Sequence, residues 1–218
     1  MTGRVVADGE AGRLEAIAAL RRGDLVALPT DTVYGLAVAL DAPDGLARLF
    51  AAKHRPLDRA IVLLLADRQQ AETVGELDAA AQVLASSFWP GGLTLVVRQR
   101  AAAGLPPELA GGSGTVGLRV AGHDAPRALA AAVGPLPVTS ANRSGQAPAL
   151  NVAELLAQLG DVEQLAVVLD DGPSPGGVAS TVVDCSAGPP RLIRDGAVGV
   201  AALVAVLEGA GLEHRLDP

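Results

Sequence analysis

The sequence predicts an α/β protein built on a mixed sheet. Three observations carry that reading: strand-like apolar runs and helix-patterned stretches alternate along the chain, no segment repeats, and two strand-like runs near the end read as antiparallel neighbours. At 218 residues the chain fits one large domain or two small ones, and one compact domain over residues 1–218 is the expectation.

Leu14, Ile17, Ala18 and Leu20 keep helical spacing, and Gly23 stands where a helix stop belongs. Residues 25–28 (Leu-Val-Ala-Leu) read as a buried strand ended by Pro29. Pro43 suits a first helical position, and Leu46, Leu49 and Phe50 carry that helix toward Lys53, at an end that favours cations. Residues 61–66 form a second buried strand and 79–88 a helix. The turn Trp89-Pro90-Gly91-Gly92 precedes a strand at 93–97. Residues 101–114, rich in Ala, Gly and Pro, read as a long exposed loop. A strand at 115–120, a helix at 125–133 and a short strand at 136–139 then run into Ser140-Ala141-Asn142-Arg143-Ser144-Gly145. A helix at 152–159, a strand at 165–169, a turn-rich loop at 170–177, strands at 181–184 and 192–194, and a helix at 200–207 close the chain.

Half of the residues are apolar but only 2% are aromatic. That builds a core from Ala, Val and Leu and leaves few platforms for stacking bases. The longest apolar runs fall far short of the roughly 20 residues of a membrane span. The N-terminus mixes Asp8, Glu10 and Glu15 with apolar residues, so no signal peptide is expected. A single cysteine, Cys185, excludes an internal disulfide and any multi-cysteine metal site, in keeping with a reducing, cytoplasmic setting. The net charge of -7 repels nucleic acid except where basic residues cluster. One cluster exists: Arg48, Lys53, His54, Arg55, Arg59 and Arg68, opposed by Asp58 and Asp67.

Lys53 is the one lysine beside sixteen arginines. A chain that otherwise uses Arg retains Lys where a compact point charge is wanted, as against a phosphate; the plainer alternative is a solvated helix end. Tyr34, the only tyrosine, lies in Pro29-Thr30-Asp31-Thr32-Val33-Tyr34-Gly35-Leu36, where hydroxyls and a carboxylate follow a buried strand. Strand ends in α/β sheets bind ligands, though Thr30 or Asp31 would equally serve as a helix N-cap. In residues 115–120 the period of two puts Thr115, Gly117 and Arg119 on one face and Val116, Leu118 and Val120 on the other. That suits a cleft where Arg119 takes a carboxylate, or a solvent-facing edge strand. Ser140 and Asn142 suit a phosphate or ribose, or an ordinary turn, and Ser180, Thr181 and Arg194 pose the same choice. Phosphate-loop, zinc-protease and nucleophile-elbow motifs are absent, and His54, His123 and His214 lack metal-ligand spacing.

Taken in order, Pro29–Leu36, Lys53-His54-Arg55-Pro56, Phe88-Trp89-Pro90-Gly91-Gly92-Leu93-Thr94, Val116-Gly117-Leu118-Arg119-Val120, Ser140–Gly145 and Ala179-Ser180-Thr181-Val182-Val183-Asp184 resemble the YrdC/TsaC family of threonylcarbamoyl-AMP synthases. The resemblance covers about residues 10–205. It implies a single YrdC-like domain with a twisted mixed sheet and flanking helices around a large basic cavity. It also implies a reaction of L-threonine, bicarbonate and ATP that gives L-threonylcarbamoyladenylate and pyrophosphate, in the first stage of a tRNA modification completed by a downstream transferase.

Carried over by position, the family signature puts Lys53, Arg55, Ser140 and Asn142 at the nucleotide together with Arg59, Thr115 and Arg194, with Lys53 and Arg55 catalytic. Thr32, Arg119 and Ser180 hold the threonine. Mg²⁺ is expected to ride on the ATP, with no organic cofactor and no protein metal ligands. Here Arg59-Ala60-Ile61 and Leu64 stand where many relatives have Asn-Pro-Leu and a histidine, and Asp195 replaces a common proline. With 24 residues after Arg194, the extra C-terminal domain of longer relatives is not expected. Two rival readings remain from the sequence: a binding protein for double-stranded RNA or tRNA, and a related carbamoyl-type transferase with another acceptor.

Overall fold

The computed structural model describes residues 3–53, 61–110 and 112–216. Among these residues the chain runs β1 (Arg4–Ala7), α1 (Glu10–Arg21), β2 (Leu25–Leu28), β3 (Gly35–Ala37), α2 (Gly45–Ala52), β4 (Val62–Leu64), α3 (Arg68–Val74), β5 (Gly75–Glu76) and α4 (Ala79–Phe88). It continues through β6 (Leu93–Gln99), β7 (Thr115–Arg119), α5 (Asp124–Val133), β8 (Leu136–Ser140), α6 (Val152–Leu159), β9 (Leu165–Asp170), β10 (Thr181–Asp184), β11 (Arg191–Arg194) and α7 (Val200–Gly209).

The strands join one twisted, unclosed sheet in the order β1-β9-β2-β3-β8-β4-β7-β6-β10-β11, with β5 paired to β6. Four pairings are parallel (β1–β9, β2–β9, β4–β7, β6–β10) and the rest antiparallel, including β10 with β11, so the sheet is mixed as expected.

Both faces of the sheet are covered. Along β2, Leu25 and Ala27 belong to one apolar cluster and Val26 and Leu28 to the other, as a period of two demands. One cluster takes Ala16, Ala19 and Leu20 of α1 with Leu129 of α5; the other takes Leu49, Leu84, Leu155 and Leu203 of α2, α4, α6 and α7. Burying each such leucine stabilises the fold by roughly 1.5–3 kcal/mol, which is why short all-apolar runs suffice as central strands. The helices start where side chains satisfy orphan N–H groups: Asp67 accepts from Gln70, Asp78 from Ala81, and Asn151 from Glu154.

Four elements escape the sequence pattern. β3 and β5 are only three and two residues long, β1 is an edge strand with Val5 exposed, and α3 is a polar helix that buries only Ala71 and Val74. Two expectations are corrected. Pro43 is not the first helical residue; α2 begins at Gly45 after Asp44 turns the chain in a left-handed conformation, φ 55°. Residues 101–114 are not a free loop, because two 3₁₀ turns bury Leu105 and Leu109, and the Ile61 amide donates to the Leu109 carbonyl at 3.1 Å.

Candidate active site

A cleft of about 200 Å³ lies along β4, on the sheet. Register fixes its two ends: Val62 pairs with Val138 of β8, which leads to Ser140, and Leu64 pairs with Arg119 at the end of β7. Val62, Leu64 and Val138 give it an apolar floor, while Thr30, Thr32, Thr94, Arg119, Ser140, Ser180 and Arg194 give it polar walls.

At the Arg119 end the guanidinium is 6% exposed. Its Nε donates to the Gly91 carbonyl at 2.9 Å, Nη1 to Thr32 Oγ1 at 2.9 Å and Nη2 to Asp31 Oδ1 at 2.6 Å. A guanidinium has five N–H groups, so two have no partner among the described residues and can meet a carboxylate in parallel. Burial pulls the Arg119 pKa down, Asp31 opposes that, and the charge of Arg194 adds to it. Thr30 Oγ1 donates to the Val33 carbonyl and accepts from the Thr32 and Val33 amides, so the Thr32 hydroxyl is aimed by its own turn. Thr30 and Asp31 therefore cap no helix.

Ser180 joins this end from the start of β10. Its hydroxyl accepts from Arg194 Nη2 at 3.1 Å and shares a hydrogen bond with Thr94 Oγ1 at 2.9 Å. Arg194 also holds the Ser180 carbonyl through Nε and Nη2, and partial burial lowers its pKa. Its position beside Ser180 puts it nearer the amino-acid residues than its nucleotide assignment implied.

At the other end Lys53, the C-cap of α2, is 2% exposed, so the solvated helix-end alternative fails. Its ammonium donates to the Ser140 carbonyl, to Ser140 Oγ at 3.2 Å and to Asn142 Oδ1 at 2.9 Å. Asn142 is turned by donating its amide to the Arg143 and Gln146 carbonyls. Residues 87 and 89 positions apart are thereby brought to one ammonium, and Ser140 carries it to the cleft.

Arg55 and Arg59 lie outside the described residues. Thr115 is not in the cleft lining: its hydroxyl pairs with Ser113 at 2.7 Å at the far end of β7 from Arg119. The predicted alternation of β7 holds, since Val116 and Leu118 enter the core. Sequence reasoning left Asp31 between ligand contact and a helix cap and assigned no role to Thr94, although both stand inside quoted motifs. Among the described residues, the charged side chains that line the cleft are Arg119 and Arg194.

Tyr34 is one of the residues that line the cleft, its side chain is fully buried, and its hydroxyl donates to the Gly172 carbonyl at 2.7 Å. Burial pushes its pKa from 10.0 up to about 12. The folded value lies above the unfolded one, so Tyr34 contributes stability in full below pH 10 and loses it as pH rises to about 12. As the chain has no other tyrosine, phenolate absorbance should titrate near 12 in folded protein and near 10 in denaturant. An equal midpoint in both would refute the buried environment.

Glycines let the surrounding backbones close in. A Cβ on Gly196 would stand 2.6 Å from the Ser180 carbonyl carbon and the Thr181 amide nitrogen, and these are main-chain atoms that cannot swing aside. Gly196→Ala should therefore shift Ser180, lower the melting temperature and weaken amino-acid binding by about tenfold, measured by calorimetry.

Outside the cleft, ligand atoms of Asp8, His123 and Asp171 lie within 4.8 Å of one another, a grouping that histidine spacing did not predict. Asp8 is engaged by both Arg13 nitrogens, and His123 accepts the Ala125 amide on Nδ1 while Nε2 faces Asp171. With Nδ1 accepting, a neutral ring carries its proton on Nε2 and has no lone pair for a metal there. A second cavity, of about 410 Å³, is lined by Arg48, Arg143, Asp161 and Glu163, away from Arg119. No helix among the described residues is long and apolar enough to cross a membrane.

Comparison with known proteins agrees with this geometry. The Sua5/YciO/YrdC family model, described as "Telomere recombination", matches residues 18–196. A threonylcarbamoyl-AMP synthase of Chromohalobacter salexigens is 39% identical over 178 residues, covering 80% of this chain and 92% of its own. The Bacillus subtilis threonylcarbamoyl-AMP synthase is 36% identical over 196 residues, 88% of this chain and 56% of its own. Pyrococcus abyssi Sua5, solved in complex with L-threonine, superposes with a TM-score of 0.88 at 30% identity over all of this chain. This chain spans 63% of that one. A continuous match of sequence and fold across both ends of the cleft leaves one assignment: the chain belongs to the Sua5/YciO/YrdC family, the family of the threonylcarbamoyl-AMP synthases.

Proposed function

We propose that the chain is an L-threonylcarbamoyladenylate synthase. It makes the adenylate and pyrophosphate from L-threonine, bicarbonate and ATP, and passes the product to a downstream tRNA threonylcarbamoyl transferase in the cytoplasm. One observation carries the reading: a buried guanidinium with two donors unpaired among the described residues at one end of the cleft, and an ammonium held behind Ser140 at the other. The relative solved with L-threonine supports the amino-acid half.

The threonine carboxylate pairs with Arg119, and Thr32 and Ser180 offer hydroxyls to the rest of the amino acid. Its amine takes up bicarbonate with loss of water to give a carbamate. A carbamate oxygen then forms the bond to the α-phosphorus as the bond to pyrophosphate breaks. Charge grows on the phosphate oxygens in that step, so Lys53 and Arg55 act by electrostatic stabilisation, with Ser140 and Asn142 fixing the ammonium. Arg59 and Arg194 complete the nucleotide set in this reading, with Arg194 facing the junction of the two halves, while Thr115, outside the cleft lining, takes no part in it.

The cleft lining offers hydroxyls, guanidiniums and apolar groups but no carboxylate among the described residues. That donor set suits a Mg²⁺ held by the triphosphate's own oxygens, where it would neutralise phosphate charge. The decisive experiment is mass spectrometry of purified protein with ATP, bicarbonate and threonine. Threonylcarbamoyl-AMP should appear, and pyrophosphate release should fall to background without threonine. Undiminished release would mean another acceptor, and tight RNA binding in a filter assay with no release would mean a binding protein.

A further inference from the structure

We propose that Asp31 is a positioning residue for amino-acid recognition, holding the Arg119 guanidinium so that its two remaining N–H groups face the substrate carboxylate side by side. The proposal rests on the functional reading above and adds a residue to it. Arg119 is tied to two separate chain segments, at Gly91 and at the turn carrying Asp31 and Thr32, and three hydrogen bonds fix the plane of a guanidinium. Asp31 is the charged one of the three and makes the shortest contact, 2.6 Å.

Asp31 is itself fixed. The same Oδ1 accepts the Gly122 amide at 3.0 Å, from the turn that follows β7. A Cβ on Gly122 would lie 3.2 Å from the Asp31 carboxylate, and one on Gly176 would lie 2.6 Å from the Asp31 carbonyl oxygen. Two glycines thus let backbone pack around this residue and confine its carboxylate. Asp31 does not line the cleft, so its action passes through Arg119.

A second consequence concerns charge. Arg119 and Arg194 line the same cleft, the charge of Arg194 disfavours that of Arg119, and unbalanced they would draw any anion to this end, polyphosphate included. With Asp31 neutralising Arg119, this end suits a singly charged carboxylate and leaves the triphosphate to Lys53. Asp31 therefore contributes to sorting the two substrates as well as to aiming one donor pair.

The test uses the full chain and the variants Asp31→Asn and Asp31→Glu in steady-state pyrophosphate release, varying threonine and ATP in turn. The Asn side chain keeps one oxygen for the Gly122 amide and Arg119 Nη2 while it removes the charge and turns the second oxygen into an NH2 group. Its KM for threonine should rise about 10- to 100-fold while its KM for ATP stays within about twofold. Calorimetry with L-threonine and L-threoninol, which lacks the carboxylate, should show Asp31→Asn losing most of the wild-type preference for the acid. If Asp31→Asn proves too unstable to assay, Asp31→Glu, which moves the charge by one methylene, should show the same split. A threonine KM unchanged in either variant, or an equal rise for both substrates, overturns the positioning role. Absence of threonine binding and turnover in the wild type would overturn the functional reading, and this proposal with it.

Discussion

Lys53→Arg should lower kcat/KM for threonine-dependent pyrophosphate release by about 10²- to 10³-fold, the usual cost of losing a positioned electrostatic donor. The ammonium sends three donors to Ser140 and Asn142 from a site 2% exposed. A planar fork carries the same charge but cannot converge on those acceptors, and its extra volume has nowhere to go. Overpacking of this kind costs about 1–3 kcal/mol, so the variant should melt earlier yet remain folded at the assay temperature. Circular dichroism and turnover on the same sample separate the two effects. Near-wild-type turnover would remove the argument that the position needs a compact charge.

Arg119→Lys should raise the threonine KM by about 10- to 100-fold and leave the ATP KM nearly unchanged. Lysine keeps a charge for Asp31 but has no paired N–H groups in one plane, so either the anchors or the carboxylate goes short. Truncation to alanine would add a fold defect by leaving the half-buried Asp31 without its partner, which is why lysine is the cleaner probe. Titrating each substrate against the variant by calorimetry reads the split directly. Equal loss for both would place Arg119 in the scaffold instead.

The sequence exposed most of the architecture because its central strands are short unbroken apolar runs, such as 61–66, and its helices keep a 3.6-residue stripe. It hid β3, which consists of Gly35-Leu36-Ala37 directly after the Thr30–Tyr34 turn, because three residues have no period. α3 was hidden by its polar composition. At the site, uniqueness marked Lys53 and alternation marked Arg119, both local signals. The link between Asp31 and Arg119 spans 88 positions and depends on the segment between β2 and β3 reaching the end of β7. No local pattern encodes that reach. Thr94 was invisible for the same reason, since its partner Ser180 is 86 residues away on the neighbouring strand β10.

The enclosure of Lys53 also determines how the molecule responds to acylating reagents. With one lysine in the chain, an active ester finds one side-chain amine, and that amine sits against three oxygen acceptors. Slow acylation of Lys53, followed by peptide mass, would time how often its ammonium leaves the acceptors on Ser140 and Asn142.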